Sequence, residues 1–436
     1  KGGIFMPKVV VIGGGWAGCA ASISAKKAGC EVVLLERTDL LIGLGNVGGI
    51  MRNNGRYTAC EEAIALGANE LFNITDKYAI HTNIDFPGHN HATIYNVTKV
   101  EPVVRRMLID MDIKVKLISR VVNVECEDNI LKAVILENGE TIYGDAFVDT
   151  TGTTGPMGNC ERYGNGCAMC VLRCPSFGGR VSITSRCGID DMTGKRKNGD
   201  FGAFSGSMKI LKTSLSQEIQ DKLAKDGHAE IFLPEYLRDE KKLDIKVCQQ
   251  YALPQFAQNV ILIDTGHAKL MTPFFNLEKL RKVPGCENAM IVDPYAGGKG
   301  NSIRYMAVSP RDNYMRAQGM SNLFVGGEKS GFYVGHTEAI CTGSLAGHNA
   351  ARFCAGVDFL QLPESIAIGD MLKYSNIEMH KQDGDKLRFT FAGGLYFNRM
   401  KELGLYTTDK EIIEDRIKKT GLFKVYDKKI IGSMVV

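Results

Sequence analysis

Residues 7–36, PKVVVIGGGWAGCAASISAKKAGCEVVLLE, constrain the fold more tightly than any other part of the chain. Val9 to Ile12 are continuously apolar, as a strand buried on both faces requires. Gly13, Gly15 and Gly18 follow as G-x-G-x-x-G, and Ala17 to Ala28 is a small-residue helix. Glu31 to Leu35 reads as a second buried strand with Glu36 at its end. Each glycine has a separate task. Gly13 permits the tight turn, Gly15 lets backbone approach a pyrophosphate, and Gly18 lets helix and strand pack closely. The helix N-terminus offers free N–H groups to phosphate oxygens, and Glu36 can accept hydrogen bonds from a ribose diol. In this order the pieces specify a βαβ dinucleotide-binding unit.

A second match, GLGNVG at 43–48, begins too soon after Glu36 and lacks a following strand and acid. It reads as a glycine-rich loop that can lie along the cofactor, with Asn46, Arg52 and Arg56 as candidate polar contacts. Periodicity predicts helices over 59–72 and 99–111, the latter with Pro102 in its first turn. A strand-rich block follows, with Asn138-Gly139 as a hairpin turn. A buried strand over 146–150 ends in Thr151-Gly152. Leu323 to Val325 reads as a short buried strand, Gly326-Gly327 as a turn, and 336–353 as a helix entered at Gly335. The remainder reads as a mostly helical tail.

A glycine-flanked helix this late in the chain, returning to the first βαβ unit, points to FAD. FAD is long, and its flavin end needs walls from distant segments. The helix N-terminus at 336 could face the flavin pyrimidine, where its dipole favours negative charge on reduction.

Composition sets outer limits. The 436 residues are 44% hydrophobic and 23% charged, ordinary for a globular protein, and no apolar run is long enough to span a bilayer. Lys1 to Phe5 precede Met6 and are set aside, and no signal peptide is expected before the first strand. Thirteen cysteines, an odd number, argue for reduced thiols rather than a disulfide scaffold, so a cytoplasmic protein is expected. The net charge of +4 neither demands nor excludes nucleic acid.

Four of the cysteines fall in CERYGNGCAMCVLRCP, residues 160–175. Cys160, Cys167, Cys170 and Cys174, the last followed by Pro175, have the look of ferredoxin-type ligation of a 4Fe–4S cluster. Structural zinc, a redox pair at Cys167 and Cys170, and four incidental thiols are the alternatives. Cys187 is a spare ligand. Cys19, Cys30, Cys341 and Cys354 read as small core residues.

The segments VVVIGGGWAG, FVDTTGTTG, LRKVPGCENAMIV and LFVGGEKSGFYVGHTEAICTGSLAGHNAAR resemble the FAD-binding segments of the GidA and TrmFO flavoproteins. Those are tRNA uridine-modifying enzymes that use FAD with methylenetetrahydrofolate. The resemblance covers most of 6–158 and 280–355. It implies an α/β fold, with a Rossmann-like, glutathione-reductase-like FAD domain, an inserted second domain and a helical C-terminal region. It also implies that Gly13, Gly15, Gly18 and Glu36 carry adenosine and pyrophosphate. Gly152, Gly327 and Glu328 would lie near the middle of the cofactor, with Gly335 and His336 near the flavin. The cysteine cluster departs from that family, as does a C-terminal region shorter than GidA proteins carry.

The expected organisation is therefore an FAD-binding domain over 6–158 and 300–356, an inserted cysteine-cluster and substrate domain over 159–299, and a helical region over 357–436. The expected activity is that of an FAD-dependent oxidoreductase passing electrons between a small substrate and a redox partner through flavin and cluster. A folate- and FAD-dependent tRNA uridine-modifying enzyme is the alternative. Under the first reading a protein electron donor or acceptor is a partner, and neither nucleic acid nor membrane is. His336 and Arg304 are the candidate catalytic residues, with Arg311 and His267 as further polar candidates. Arg416 to Lys429, with six basic residues and one acid, reads as a solvated face rather than a nucleic-acid footprint.

Overall fold

The computed structural model describes residues 6–153, 174–201, 203–204, 208–240, 243, 253–271, 275–292, 303–304 and 306–432. Its centre is a five-stranded parallel sheet. The strand order is Leu323–Val325, Ala146–Asp149, Lys8–Ile12, Glu31–Leu35, Lys114–Lys116. Side-chain alternation divides these apolar strands between two layers. Val9, Val11, Val32, Leu34, Ala146 and Val148 face the helices Trp16–Lys27 and His336–Ala355. Val10, Ile12, Val33, Leu35 and Phe147 face a meander of strands Val121–Glu127, Ile130–Leu136 and Thr141–Tyr143. Burial on both faces is why these strands are uniformly apolar; each such side chain contributes about 1.5–3 kcal/mol.

The two helices touch because both are lined with small residues. A Cβ on Gly343 would lie 2.2 Å from the Ala17 carbonyl oxygen, and one on Gly347 would lie 2.1 Å from that of Ala21. Helix 336–355 therefore seals the first βαβ unit.

A second region holds a four-stranded antiparallel sheet, Met208–Ile210, Ala268–Leu270, Asn259–Asp264, His228–Phe232, backed by helix Gln217–Asp226. A three-stranded sheet, Ile50–Arg52, His89–Tyr95, Ala79–Phe86, packs against it through Ile94, Ile261 and Ile263. Strands that follow the glycine loop in sequence thus share a core with residues two hundred positions later. Helices Ala367–Glu378, Gly394–Glu402 and Lys410–Lys419 form the C-terminal region.

The predicted helix over 59–72 is two helices, Gly55–Ala65 and Glu70–Lys77. Gly67 separates them at φ +100°, a conformation that ends a helix. Asn138-Gly139 does turn the chain between meander strands, with Gly139 at φ +86°.

Candidate functional site

The glycine loop is shaped by contacts that leave one side open. Gly13 has φ +99°, and a Cβ there would meet the Thr150 carbonyl oxygen at 2.5 Å. A Cβ on Gly18 would stand 1.8 Å from the Gly13 carbonyl oxygen. Thr150 Oγ1 donates to the Ile12 and Gly13 carbonyls and staples the loop to the neighbouring strand. Gly15 is different. A Cβ there would meet nothing within 4 Å, so its missing side chain faces open space. Gly15 also caps helix 16–27 without any side-chain hydrogen bond, leaving the positive end of that helix uncovered. Glu36 is buried, with one carboxylate oxygen accepting from the Gly14 N–H at 2.7 Å and the other from the Thr38 N–H at 2.8 Å. Each oxygen keeps further acceptor capacity. Open backbone, an uncapped helix terminus and a fixed acid suit a dinucleotide's pyrophosphate and ribose.

The second half of the site comes from residues far along the chain. Gly152, at φ +72°, has open space where a Cβ would be, and Glu328 accepts from Thr153 Oγ1 at 3.0 Å. Gly327, at φ +67°, packs beside Ala17 on the first helix. Gly335, at φ +141°, leaves no room for a Cβ against the Glu338 carboxylate and the Arg56 guanidinium. Arg56 Nε lies 3.0 Å from both Glu338 oxygens, and Glu338 also accepts from Thr390 Oγ1 and the Phe391 N–H. This buried cluster fixes the start of helix 336–355. His336 opens that helix, edge-on to Trp16 and Tyr95, with Nε2 against Gly48.

The 43–48 segment is a loop and short helix rather than a second dinucleotide site. Ile42 N–H donates to the Gly14 carbonyl, which lays the segment beside the glycine loop. Asn46, Arg52 and Arg56 have structural partners. Asn46 Nδ2 donates to the Leu41 and Gly43 carbonyls, and Arg52 pairs with Glu61 and Asp76. Arg311 is likewise buried among Ser330, Tyr333 and Leu372. Backbone pairing sets Arg304 opposite Ala203. His267 is half-buried, and burial with Lys209 and Lys212 nearby holds its pKa below the usual value.

Sequence reading missed Lys269. It stands in register with Lys209 on the adjacent strand, and both ammonium groups turn to the 45–48 helix. Lys209 Nζ donates to the Asn46 carbonyl at 2.8 Å, and Lys269 Nζ donates to the Gly48 carbonyl. Burial first, then Lys209 and Arg56, push Lys269 down from 10.5 to about 7. Lys269 thus shares Gly48 with His336: its ammonium meets the Gly48 carbonyl, and His336 Nε2 lies against the Gly48 Cα. Nothing in the local sequence HAKLM signals it; only strand pairing brings it there.

The family model for glucose inhibited division protein A matches residues 8–271 and 265–358. The chain belongs to the GidA family. It is thereby an FAD-dependent enzyme of that family. A tRNA uridine 5-carboxymethylaminomethyl modification enzyme MnmG from Clostridium botulinum (strain Loch Maree / Type A3) is 24% identical, over 98% of this chain and 78% of its own length. A second MnmG, from Alkaliphilus oremlandii, is 22% identical over 82% of this chain and 63% of its own length. The GidA structure from Aquifex aeolicus superposes with a TM-score of 0.65 at 15% identity, covering 96% of this chain and 77% of that one. It shows the same fold.

Two expectations are overturned. The electron-relay oxidoreductase with a 4Fe–4S cluster gives way to the alternative, because the GidA relatives carry names of tRNA-modifying enzymes. Cys160, Cys167 and Cys170 lie outside the described residues, and Cys174 opens a short helix, Cys174–Phe177. Among the described residues no group of three His, Cys, Asp or Glu side chains could hold a metal ion. Cys187, the spare ligand, is turned toward Cys126. The exclusion of nucleic acid as a partner is overturned by the same relatives; net charge is a sum over the chain and says little about one face. Among the described residues no helix is long and apolar enough to cross a membrane.

Proposed function

We propose that this chain modifies a uridine of tRNA, using FAD and a folate one-carbon donor. The observation that carries the reading is the GidA match across 8–358, with MnmG relatives along nearly the whole chain. A short match adds the folate: over 97 residues, 22% of each protein, the chain is 35% identical to a methylenetetrahydrofolate–tRNA-(uracil-5-)-methyltransferase TrmFO from Bacillus pumilus.

In this reading Gly13, Gly15 and Gly18 admit the pyrophosphate and Glu36 holds the adenosine ribose. Gly152, Gly327 and Glu328 line the middle of the cofactor, and Gly335 and His336 meet the flavin end. FAD, when bound, supplies the redox chemistry. The chain's own contribution at that end is the positive terminus of helix 336–355, the imidazole of His336, and Lys269 Nζ, which holds a proton it can release near pH 7. Arg304 remains a candidate for binding a substrate carboxylate or phosphate. The cofactor unit takes 6–158 and 300–356 except for the 50–95 sheet, which shares a core with the substrate region over 159–299, and 357–436 is the helical C-terminal region.

The test has two parts. Denatured protein should release FAD. Filter binding should show tRNA retained in preference to duplex DNA of equal length, with affinity falling linearly in log salt. Equal, weak retention of both nucleic acids by flavin-loaded protein would refute the substrate while leaving the cofactor assignment standing.

A further inference from the structure

Cys126 and Cys187 lie 61 positions apart in sequence, with their sulfurs 2.8 Å apart. Cys126 is on meander strand Val121–Glu127, where the pairing with Ile130–Leu136 shifts register between Glu125 and Cys126. Such an irregularity re-aims the side chain. Cys187 caps the C-terminal end of helix Ile183–Arg186 and is held there by its N–H bonds to the Ile183 and Thr184 carbonyls. Cys126 is exposed and Cys187 half-buried, whereas Cys19, Cys60, Cys286 and Cys341 are buried. Burial, then Cys126 itself, pushes the Cys187 thiol up.

We propose that Cys126 and Cys187 form a reversible disulfide by exchange with a low-molecular-weight disulfide such as oxidised glutathione. The exposed Cys126 thiolate attacks the incoming disulfide, forming a mixed disulfide and releasing one small thiol. Cys187 gives its proton to solvent and attacks the Cys126 sulfur, expelling the second small thiol. Two protein thiols are oxidised, and one small disulfide is reduced to two thiols.

The bond fastens a helix with structural duties. Ile183 and Thr184 donate their N–H groups to Asp149 Oδ2 at the end of a central strand. Ser182 Oγ accepts from Lys329 Nζ at 2.7 Å, two residues beyond Gly327. The disulfide would pin this helix to the meander from outside, bracing the sheet end next to Gly152. It is independent of the tRNA reading.

The test uses the reduced, flavin-loaded full chain, incubated with oxidised glutathione, quenched in acid, alkylated and digested with trypsin without reductant. The expected product links peptide Val121–Lys132 to peptide Cys187–Lys195, and dithiothreitol abolishes it. Closing a loop of this length should also raise the thermal midpoint by about 4 °C. Cys126→Ser should remove the link, and Cys187→Ser should leave glutathione on Cys126. Wild-type protein carrying glutathione on Cys126 without the link, Cys126 joined to another cysteine, or both thiols alkylated after oxidation would each overturn the proposal.

Discussion

Replacing Lys269 with methionine should make the protein more stable, and the gain should depend on pH in a specific way. Lys269 is 8% exposed and its pKa falls from 10.5 to about 7 on folding. Each tenfold step is worth ~1.4 kcal/mol, so holding the ammonium in this site costs ~5 kcal/mol wherever both folded and unfolded chains are protonated. That condition holds below pH 7. Between pH 7 and 10.5 the folded lysine is neutral while the unfolded one still binds a proton. The unfolded chain then carries more protons, so wild-type stability rises with pH across this window. Methionine carries no charge and fills a similar volume, but it gives up the hydrogen bond to the Gly48 carbonyl, a loss of about 1–3 kcal/mol. Lys269→Met should therefore gain ~2–4 kcal/mol at pH 6. Linkage makes that advantage shrink by ~2–3 kcal/mol at pH 9. Urea unfolding of wild type and variant at both pH values, with flavin content measured alongside, reads the difference. A stability difference that does not change between pH 6 and 9 would show that Lys269 keeps an ordinary pKa and would remove it from the proposed site.

Three further outcomes follow from particular contacts. Gly15→Leu should fold with a wild-type circular dichroism spectrum yet purify without FAD, because its side chain enters open space; Gly18→Ala, whose Cβ would stand 1.8 Å from the Gly13 carbonyl oxygen, should lose folded yield as well. His348 is buried beside Tyr426, and burial lowers its pKa from 6.5 to about 3. The folded state thus resists protonation, stability is full above pH 6.5 and is lost as pH falls, and His348→Phe should gain ~2 kcal/mol at pH 5 relative to pH 8 by urea unfolding. Glu62 is buried and accepts the Ala367 and Ile368 N–H groups at the start of helix 367–378, where no local side chain caps it; Glu62→Ala should cost about 2–3 kcal/mol in the same assay.

The first thirty residues after Met6 carried the Rossmann-like unit unaided. Two apolar strands, a small-residue helix and three spaced glycines leave few other ways to bury Val9, Val11, Val32 and Leu34. Helix 336–355 was legible for the same reason, as a periodic segment framed by glycine at 335 and 356. Local pattern works there because each element's burial is repeated along its own sequence. Cys160, Cys167 and Cys170 lie outside the described residues, while Cys187, the spare ligand, faces Cys126 on a strand 61 residues away, a pairing that spacing along the chain does not encode. The three-stranded sheet over 50–95 could not be assigned to the core it shares with 259–271, since nothing in either segment names the other. Lys269 shows the limit most clearly. In sequence it is one lysine among fifty-three basic residues. Its pKa is depressed because packing removes its water and because the fold sets Lys209, across the strand pair, and Arg56 near it. Sequence determines which side chains leave water; the tertiary structure decides which charges go with them, because desolvation and Coulomb energy depend on neighbours in space.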